Sequence, residues 1–390
     1  MNTSEHRFMP PLGWVVTLSA LGLTCVGLLG VYASEAGTGE LPEQTLKQLM
    51  FLGIGLTGFM LIQISGYREI GRWSYVMFFL ILVMLVLLLV ARKVNMAPFI
   101  VPRRNTYRWI VLGPINFQVS EYTKFVYVVA LAYYLRYRTN YRTFAGLFMP
   151  FVLTLVPLGL ILKEPDLGTS LLLLPTLFVM LFVAGARKKH LFMILLLGAI
   201  AAPVFYFSPL MNRYQRDRIE ALFHQDQDDK TWRLNAGYQL NQSKIALGSG
   251  GAFGQGFTEG DFFRHELLPE EHNDFIFAVL GHQWGFFGVM GILGLYFVII
   301  TVGLNIASNT TDPLGRLMAV GVCTMICAQT IINTGMTVGM MPITGMSLPF
   351  ASMGGSGLIA NYLMLGVLTS VSRPRPLDIA RKPFEFDYED

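Results

Sequence analysis

Residues 317–372 read LMAVGVCTMICAQTIINTGMTVGMMPITGMSLPFASMGGSGLIANYLMLGVLTSVS and carry no Asp, Glu, Lys or Arg across 56 consecutive positions. A membrane-spanning helix needs roughly 20 predominantly apolar residues, so this run holds two spans with a break between them. The break lies in residues 335–357, where Gly, Pro, Ser and Thr collect and regular helix is discouraged. A stretch of this length without charge is built for a bilayer, because a charged side chain at a helix centre costs about 2.5–3.5 kcal/mol on insertion scales.

Working outward, residues 8–34, 48–67, 73–91, 143–162, 167–186 and 190–212 are equally free of charge, and each is long enough for one span. Further spans are expected at about 120–135 and 286–306, which makes about ten transmembrane helices in an all-α, polytopic integral membrane protein. The whole chain agrees. Of its 390 residues 53% are apolar and only 14% charged, against about 25% charged in soluble globular proteins, which excludes an ordinary soluble enzyme and a disordered chain. The N-terminal MNTSEHRFMPP has no basic n-region and no small-residue cleavage site follows the first apolar run, so a retained first span is expected rather than a signal peptide. Cys25, Cys323 and Cys327 all fall inside expected spans, where thiols pack as small apolar groups and form neither a disulfide framework nor a metal site.

With the N-terminus cytoplasmic, Arg68, Arg72, Arg136, Arg138, Arg142, Arg187, Lys188, Lys189 and Arg316 all fall on the inner side, as does a basic cytoplasmic tail at 373–390. This is the positive-inside arrangement; the tail reads as a topology signal, with nucleic-acid binding a poor second. Two outer loops result, 92–119 and a large one at 208–285 between the seventh and eighth helices. Residues 208–274 hold 18 of the chain's 54 charges. A connection much longer than about 15 residues is usually functional, and the spacing of Lys244-Ile245-Ala246-Leu247-Gly248-Ser249-Gly250-Gly251 through Gly256 predicts a structured loop lying against the membrane. The whole of residues 1–390 reads as a single membrane domain.

Charges at membrane depth need a reason. Glu121 and Lys124, at i and i+3, form at the least an interfacial ion pair, and Asp166 before Leu167-Gly168-Thr169 is at the least a helix N-cap. The topology nevertheless puts both on the same outer face as Asp274. Other chemistries are excluded: the glycines at 248–256 do not form G-x-x-x-x-G-K-[ST], the histidines show no H-E-x-x-H, and there is no G-x-S-x-G.

Several motifs carry a resemblance to a known family. LLPEEHNDFIFAVLGHQWGFFG at 267–288, QSKIALGSGG at 242–251, Glu164-Pro165-Asp166-Leu167-Gly168-Thr169, Gln118-Val119-Ser120-Glu121 with Lys124, Arg108-Trp109, and NTGMTVGMMPITGMSLPFASMGGSG at 333–357 resemble, in order, the signatures of the SEDS (shape, elongation, division and sporulation) proteins. YQRDRI at 214–219 and Lys244 resemble the RodA elongation branch more than the FtsW division branch. The chain departs from the family pattern at Glu164 (usually Gln), Val119 (usually Pro), Asn273 (usually Thr), His282-Gln283 (usually two glutamates) and in Ser352-Met353-Gly354-Gly355-Ser356-Gly357.

The resemblance implies a ten-span peptidoglycan glycosyltransferase of the bacterial cytoplasmic (inner) membrane. It would polymerise lipid II, an undecaprenyl pyrophosphate-linked disaccharide peptide, on the extracytoplasmic face together with a class B penicillin-binding transpeptidase. Asp274 is then the catalytic residue, a candidate general base for the acceptor hydroxyl. Burial would help by raising its basicity above that of a free Asp, whose pKa is near 3.9. The departing pyrophosphate would be met by a divalent cation, Mg or Mn, with unassigned ligands, or directly by Lys124, Arg108 and Arg218. Glu121, Asp166, Trp109, Lys244, His272 and Ser352 are carried over as substrate-binding or supporting positions. The partners implied are lipid II, the transpeptidase and membrane lipid, with no nucleic acid. A lipid II flippase or transporter, a division-type polymerase and a catalytically silent scaffold remain the alternatives. Charges crowded on one face and no clear internal repeat favour surface chemistry, and the presence of Asp274 speaks against a silent scaffold.

Overall fold

The structure, a computed structural model, describes residues 12–35, 43–91, 108–112, 115–137, 142–208, 211, 213–223, 236–256 and 273–373. In chain order the helices are α1 (Leu12–Glu35), α2 (Glu43–Ser65), the short α3 (Tyr67–Arg72), α4 (Ser74–Ala91), α5 (Val119–Leu135), α6 (Phe148–Lys163), α7 (Leu167–Ala184), α8 (Lys188–Phe207), α9 (Arg213–Phe223), α10 (Ala236–Ser249), α11 (Ile276–Asn309), α12 (Pro313–Val338) and α13 (Gly355–Val371). Helices lie at each of the ten places where a span is expected. Among the described residues seven are long and apolar enough to cross a membrane, whereas α5 and α13 have only 17 residues each. At 1.5 Å per residue 17 residues reach about 25 Å, short of a hydrocarbon core of about 30 Å.

These short helices pack inside the bundle. All of α5 except Glu121, Tyr122 and Tyr133 is buried, against α4, α7, α12 and α13. α13 lies along α2, and α1 along α11. Since lipid is as apolar as leucine, such interfaces gain from polar bonds. Thr24 and Tyr362 share a 2.9 Å hydrogen bond between α1 and α13, and Gln63 donates to Gly366 O at 3.1 Å between α2 and α13. The outward surface is apolar, with Phe79, Ile64, Phe192, Ile200 and Phe207 exposed, which is what a lipid-facing surface requires. Of the cysteines, Cys323 is buried, Cys327 half-buried and Cys25 exposed on α1, all as free thiols.

Three features refine the expectation. The structure is not purely helical: β1 (Trp109–Leu112) and β2 (Ile115–Gln118) form an antiparallel hairpin in register Trp109 to Gln118, at the end of the loop expected at 92–119, whose residues 92–107 lie outside the described residues. The loop at 208–285 contains α9, α10 and the first turns of α11. The break expected at 335–357 is a non-helical strap, residues 340–354, between α12 and α13.

The glycine spacing of residues 248–256 also finds its reason. α11 is interrupted at Gly285, whose φ of 64° and ψ of −163° lie outside the helix. The loop after α10 docks into that interruption: Gln255 N and Gly256 N donate to the carbonyls of His282 and Gln283, and Phe286 N and Phe287 N donate to those of Gly251 and Ala252. A helix broken at membrane depth must have its freed backbone groups satisfied, and the loop supplies four bonds. Ser249 Oγ adds a 2.7 Å bond to Nδ1 of His282.

Candidate functional site

The strap gathers polar residues from several helices. Asp274 stands just before α11, half-buried, and its backbone carbonyl accepts from Asn333 Nδ2 of α12 at 2.9 Å, while the same amide donates to Met346 O of the strap. Next to Met346 is Gly345, with φ of +70°. A β-carbon there would lie 3.0 Å from Arg218 Nη1 and 3.3 Å from Asp274 Oδ2. The Arg218 guanidinium of α9 and the Asp274 carboxylate therefore converge on the same glycine, where a side chain would crowd both.

A second group meets the strap at the next residue, Ser347. Lys124 on α5 is 1% exposed, and its Nζ is 2.7 Å from Glu121 Oε2 and 3.1 Å from Gln329 Oε1 of α12. Gln329 Nε2 in turn donates to Ser347 O of the strap at 2.7 Å. The lysine is thus a buried, neutralised cation that ties α5, α12 and the strap, with Glu121 facing Ser347 and Gly357.

The third group caps α7. Asp166 accepts from Thr169 N at 3.2 Å and from the hydroxyls of Thr169 and Ser120 at 3.0 and 2.8 Å. It is an N-cap that also pins α5 to α7, and the start of α7 packs at Gly168 onto Thr344 and Met346 of the strap. Arg108 spends its guanidinium on the adjoining turn, donating to the carbonyls of Glu164 and Pro165 at 2.7 and 2.5 Å. The Glu164 carboxyl is buried with neither oxygen hydrogen-bonded. Burial first, and the Asp166 carboxylate second, push it up to about 9 against the opposing pull of Arg108, so it carries a proton at neutral pH.

Of the remaining expected positions, Trp109 is half-buried in β1. Ser352 is buried and closes a turn of the strap by accepting from Leu348 N at 2.6 Å. Lys244 is exposed on α10, while its neighbour Ser243 is buried and donates to Thr337 O. His272 lies outside the described residues. Asn333, Gln329 and Gly345 were given no role from sequence. The signal available for two of them was an amide inside the charge-free run at 317–372, since a buried polar side chain in a span calls for a partner.

Among the described residues no three of His, Cys, Asp and Glu gather to hold a metal ion. Asp166 is taken up by Ser120 and Thr169, and Glu121 by Lys124.

A family model described as cell cycle protein, FtsW/RodA/SpoVE, matches residues 11–376. The chain is 33% identical to the probable peptidoglycan glycosyltransferase FtsW of Trichlorobacter lovleyi over 92% of each chain. It is 29% identical to the peptidoglycan glycosyltransferase RodA of Treponema pallidum, over 94% of this chain and 98% of that one. A solved chain from work on the structural coordination of polymerization and crosslinking by a peptidoglycan synthase complex superposes with a TM-score of 0.78 at 30% identity, covering 94% of this chain and 98% of that one.

Proposed function

The chain belongs to the FtsW/RodA/SpoVE family of cell cycle proteins, and from that premise we propose that Asp274 and Arg218 perform its glycosyl transfer at the outer surface of the cytoplasmic membrane. It is an integral membrane protein and a peptidoglycan glycosyltransferase. The substrate in this proposal is lipid II. The acceptor's GlcNAc 4-hydroxyl gives its proton to the Asp274 carboxylate while its oxygen attacks the anomeric carbon of the donor sugar. The bond from that carbon to the polyprenyl pyrophosphate breaks, and the negative charge left on the pyrophosphate is met by Arg218. General-base catalysis and electrostatic stabilisation of a leaving group are the two needs of such a transfer. The observation that carries the reading is the convergence of the Asp274 carboxylate and the Arg218 guanidinium on Gly345, whose lack of a side chain lets both approach it.

Lys124 and Arg108, the other cations expected at the pyrophosphate, serve the scaffold in this proposal, because their charged groups are engaged by Glu121 and Gln329 and by the carbonyls of Glu164 and Pro165. The described carboxylates do not form a cage for Mg or Mn. Magnesium usually keeps most of its water and needs only one or two carboxylates beside substrate phosphates, so we assign the divalent ion to the pyrophosphate of the substrate.

The partner in this proposal is a class B penicillin-binding transpeptidase, supported by the likeness to a chain whose complex couples polymerization with crosslinking. YQRDRI at 214–219 and Lys244 support an elongation role. The test is purified protein with lipid II and a divalent cation, the glycan products resolved by length, beside Asp274→Ala. Polymer from the wild type alone supports the proposal. Flipping in liposomes without polymer would make the chain a transporter, transpeptidase binding without either activity a scaffold, and wild-type polymerisation by Asp274→Ala would remove Asp274 from the mechanism.

A further inference from the structure

Arg218 acts from α9, which reads RYQRDRIEALF and, among the described residues, touches α10. Where its guanidinium points depends on how that helix is turned about its axis. The side chains of α9 supply the answer by their spacing. Positions 216 and 220 are i and i+4 and share one face of the helix, whereas 216 and 218 are two apart and point to nearly opposite sides.

The 216/220 face grips the end of α8 chiefly at Tyr206. Arg216 Nη2 donates to Tyr206 O at 3.1 Å, with Ser208 O at 3.5 Å, and the guanidinium lies 5.5 Å from the centre of the Tyr206 ring. Tyr206 Oη donates to Glu220 Oε1 at 2.9 Å. The opposite face looks into the site: Gln215 is buried with its amide 3.5 Å from Leu162 O near the end of α6, and Arg218, three residues on, reaches Gly345 beside Asp274. The contacts of Arg216 and Glu220 at Tyr206, with the bond of Gln215 on the other side, therefore restrain the rotation of α9, and the rotation of α9 directs the guanidinium.

We propose that Arg216, Tyr206 and Glu220 are positioning residues for the transfer, a grip on the end of α8 that holds Arg218 against Asp274. This rests on the reading of Asp274 and Arg218 given above. In a site of this kind a displacement of about 1 Å costs up to a hundredfold in rate, so a contact remote from the reacting atoms registers in kcat.

The experiment uses the purified full chain with lipid II and follows kcat against pH for Arg216→Gln, Arg218→Gln, the double variant and Tyr206→Phe. Arg216→Gln is expected to lose between about tenfold and a hundredfold in kcat with an unchanged thermal unfolding midpoint. Its acid limb moves to higher pH, as in Arg218→Gln, because a carboxylate that loses a neighbouring cation is ionised less readily. Since both substitutions remove the same thing, the double variant is no slower than Arg218→Gln by more than about twofold, the signature of coupled residues. Tyr206→Phe keeps the ring and gives a smaller change in the same direction; it carries the test should Arg216→Gln fail to fold. Effects that multiply in the double variant, or a loss of kcat with the acid limb in place, overturn the proposal. So does a Tyr206→Phe enzyme with wild-type rate and profile. Wild-type activity in Asp274→Ala would instead overturn the catalytic reading itself, a result visible without any variant of the grip.

Discussion

Gly285→Ala puts the docking of the glycine loop to a direct test. Gly285 sits at φ 64° and ψ −163°, a region open essentially to glycine alone, and a residue forced into such backbone costs about 1–3 kcal/mol. Space is the larger obstacle. The added methyl would come within 2.3 Å of Gly254 N and 2.7 Å of the Ala252 carbonyl, and both are backbone atoms that have no rotamer to change. The loop has to leave the helix break, and with it go the bonds joining residues 251, 252, 255 and 256 to Phe286, Phe287, His282 and Gln283. At about 0.5–1.5 kcal/mol each, the four amount to about 2–6 kcal/mol. The turns of α11 before the break carry Asp274 at their head, so the site is displaced as well. Gly291→Ala on the same helix is the control. A β-carbon there meets nothing within 4 Å, and alanine is favoured over glycine in a helix by about 1 kcal/mol. The assays are thermal unfolding in detergent, hydrogen exchange at the Phe286 and Phe287 amides, and lipid II polymerisation. Gly285→Ala is expected to lose stability, amide protection and polymer, while Gly291→Ala keeps all three. If the two variants behave alike, the loop does not hold the break.

Three other perturbations have defined outcomes. Lys124→Met leaves Glu121 without its cation at a largely buried position, an expected loss of about 3–5 kcal/mol in thermal or denaturant stability; Lys124→Met combined with Glu121→Gln recovers part of it, and a double variant less stable than the single would refute the ion-pair account. Glu164 binds its proton more tightly folded than unfolded, so its contribution is fully present at pH below about 4.5 and is lost as pH rises toward about 9. Glu164→Gln, neutral at every pH, should match the wild type in stability near pH 4 and exceed it near pH 8; equal stability at both would show that the carboxyl is not held as the acid. EDTA is expected to stop polymerisation, with Mg or Mn restoring it, and to leave the thermal stability of substrate-free protein unchanged, because in the proposed mechanism the ion comes with the substrate; a rate indifferent to EDTA would exclude it.

The sequence determined by itself what water and lipid decide residue by residue. Freedom from charge over residues 317–372 and six shorter runs, with arginine and lysine in alternate short loops, is enough for an all-helical membrane chain, because the insertion of each span depends on its own composition. The Asp166 cap and the Glu121 and Lys124 pair were legible for the same reason, both being contacts within one turn of helix. The hairpin at β1 and β2 was not, being eight strand residues held over the bundle by bonds such as that from Gln118 N to Ser356 Oγ, 238 positions away. Nor was the purpose of the glycines at 248–256, since the carbonyls they serve belong to a helix broken some thirty residues later. The site divides along the same line. Asp274 and Arg218 were each legible as candidates through the motifs that carry the family resemblance, but their meeting at Gly345, more than seventy positions beyond either, depends on Asn333 drawing the strap to the head of α11. Hydropathy acts on one segment at a time and leaves its mark in that segment's composition; contacts between distant segments exist only once the helices are packed, and the tertiary structure alone decided them.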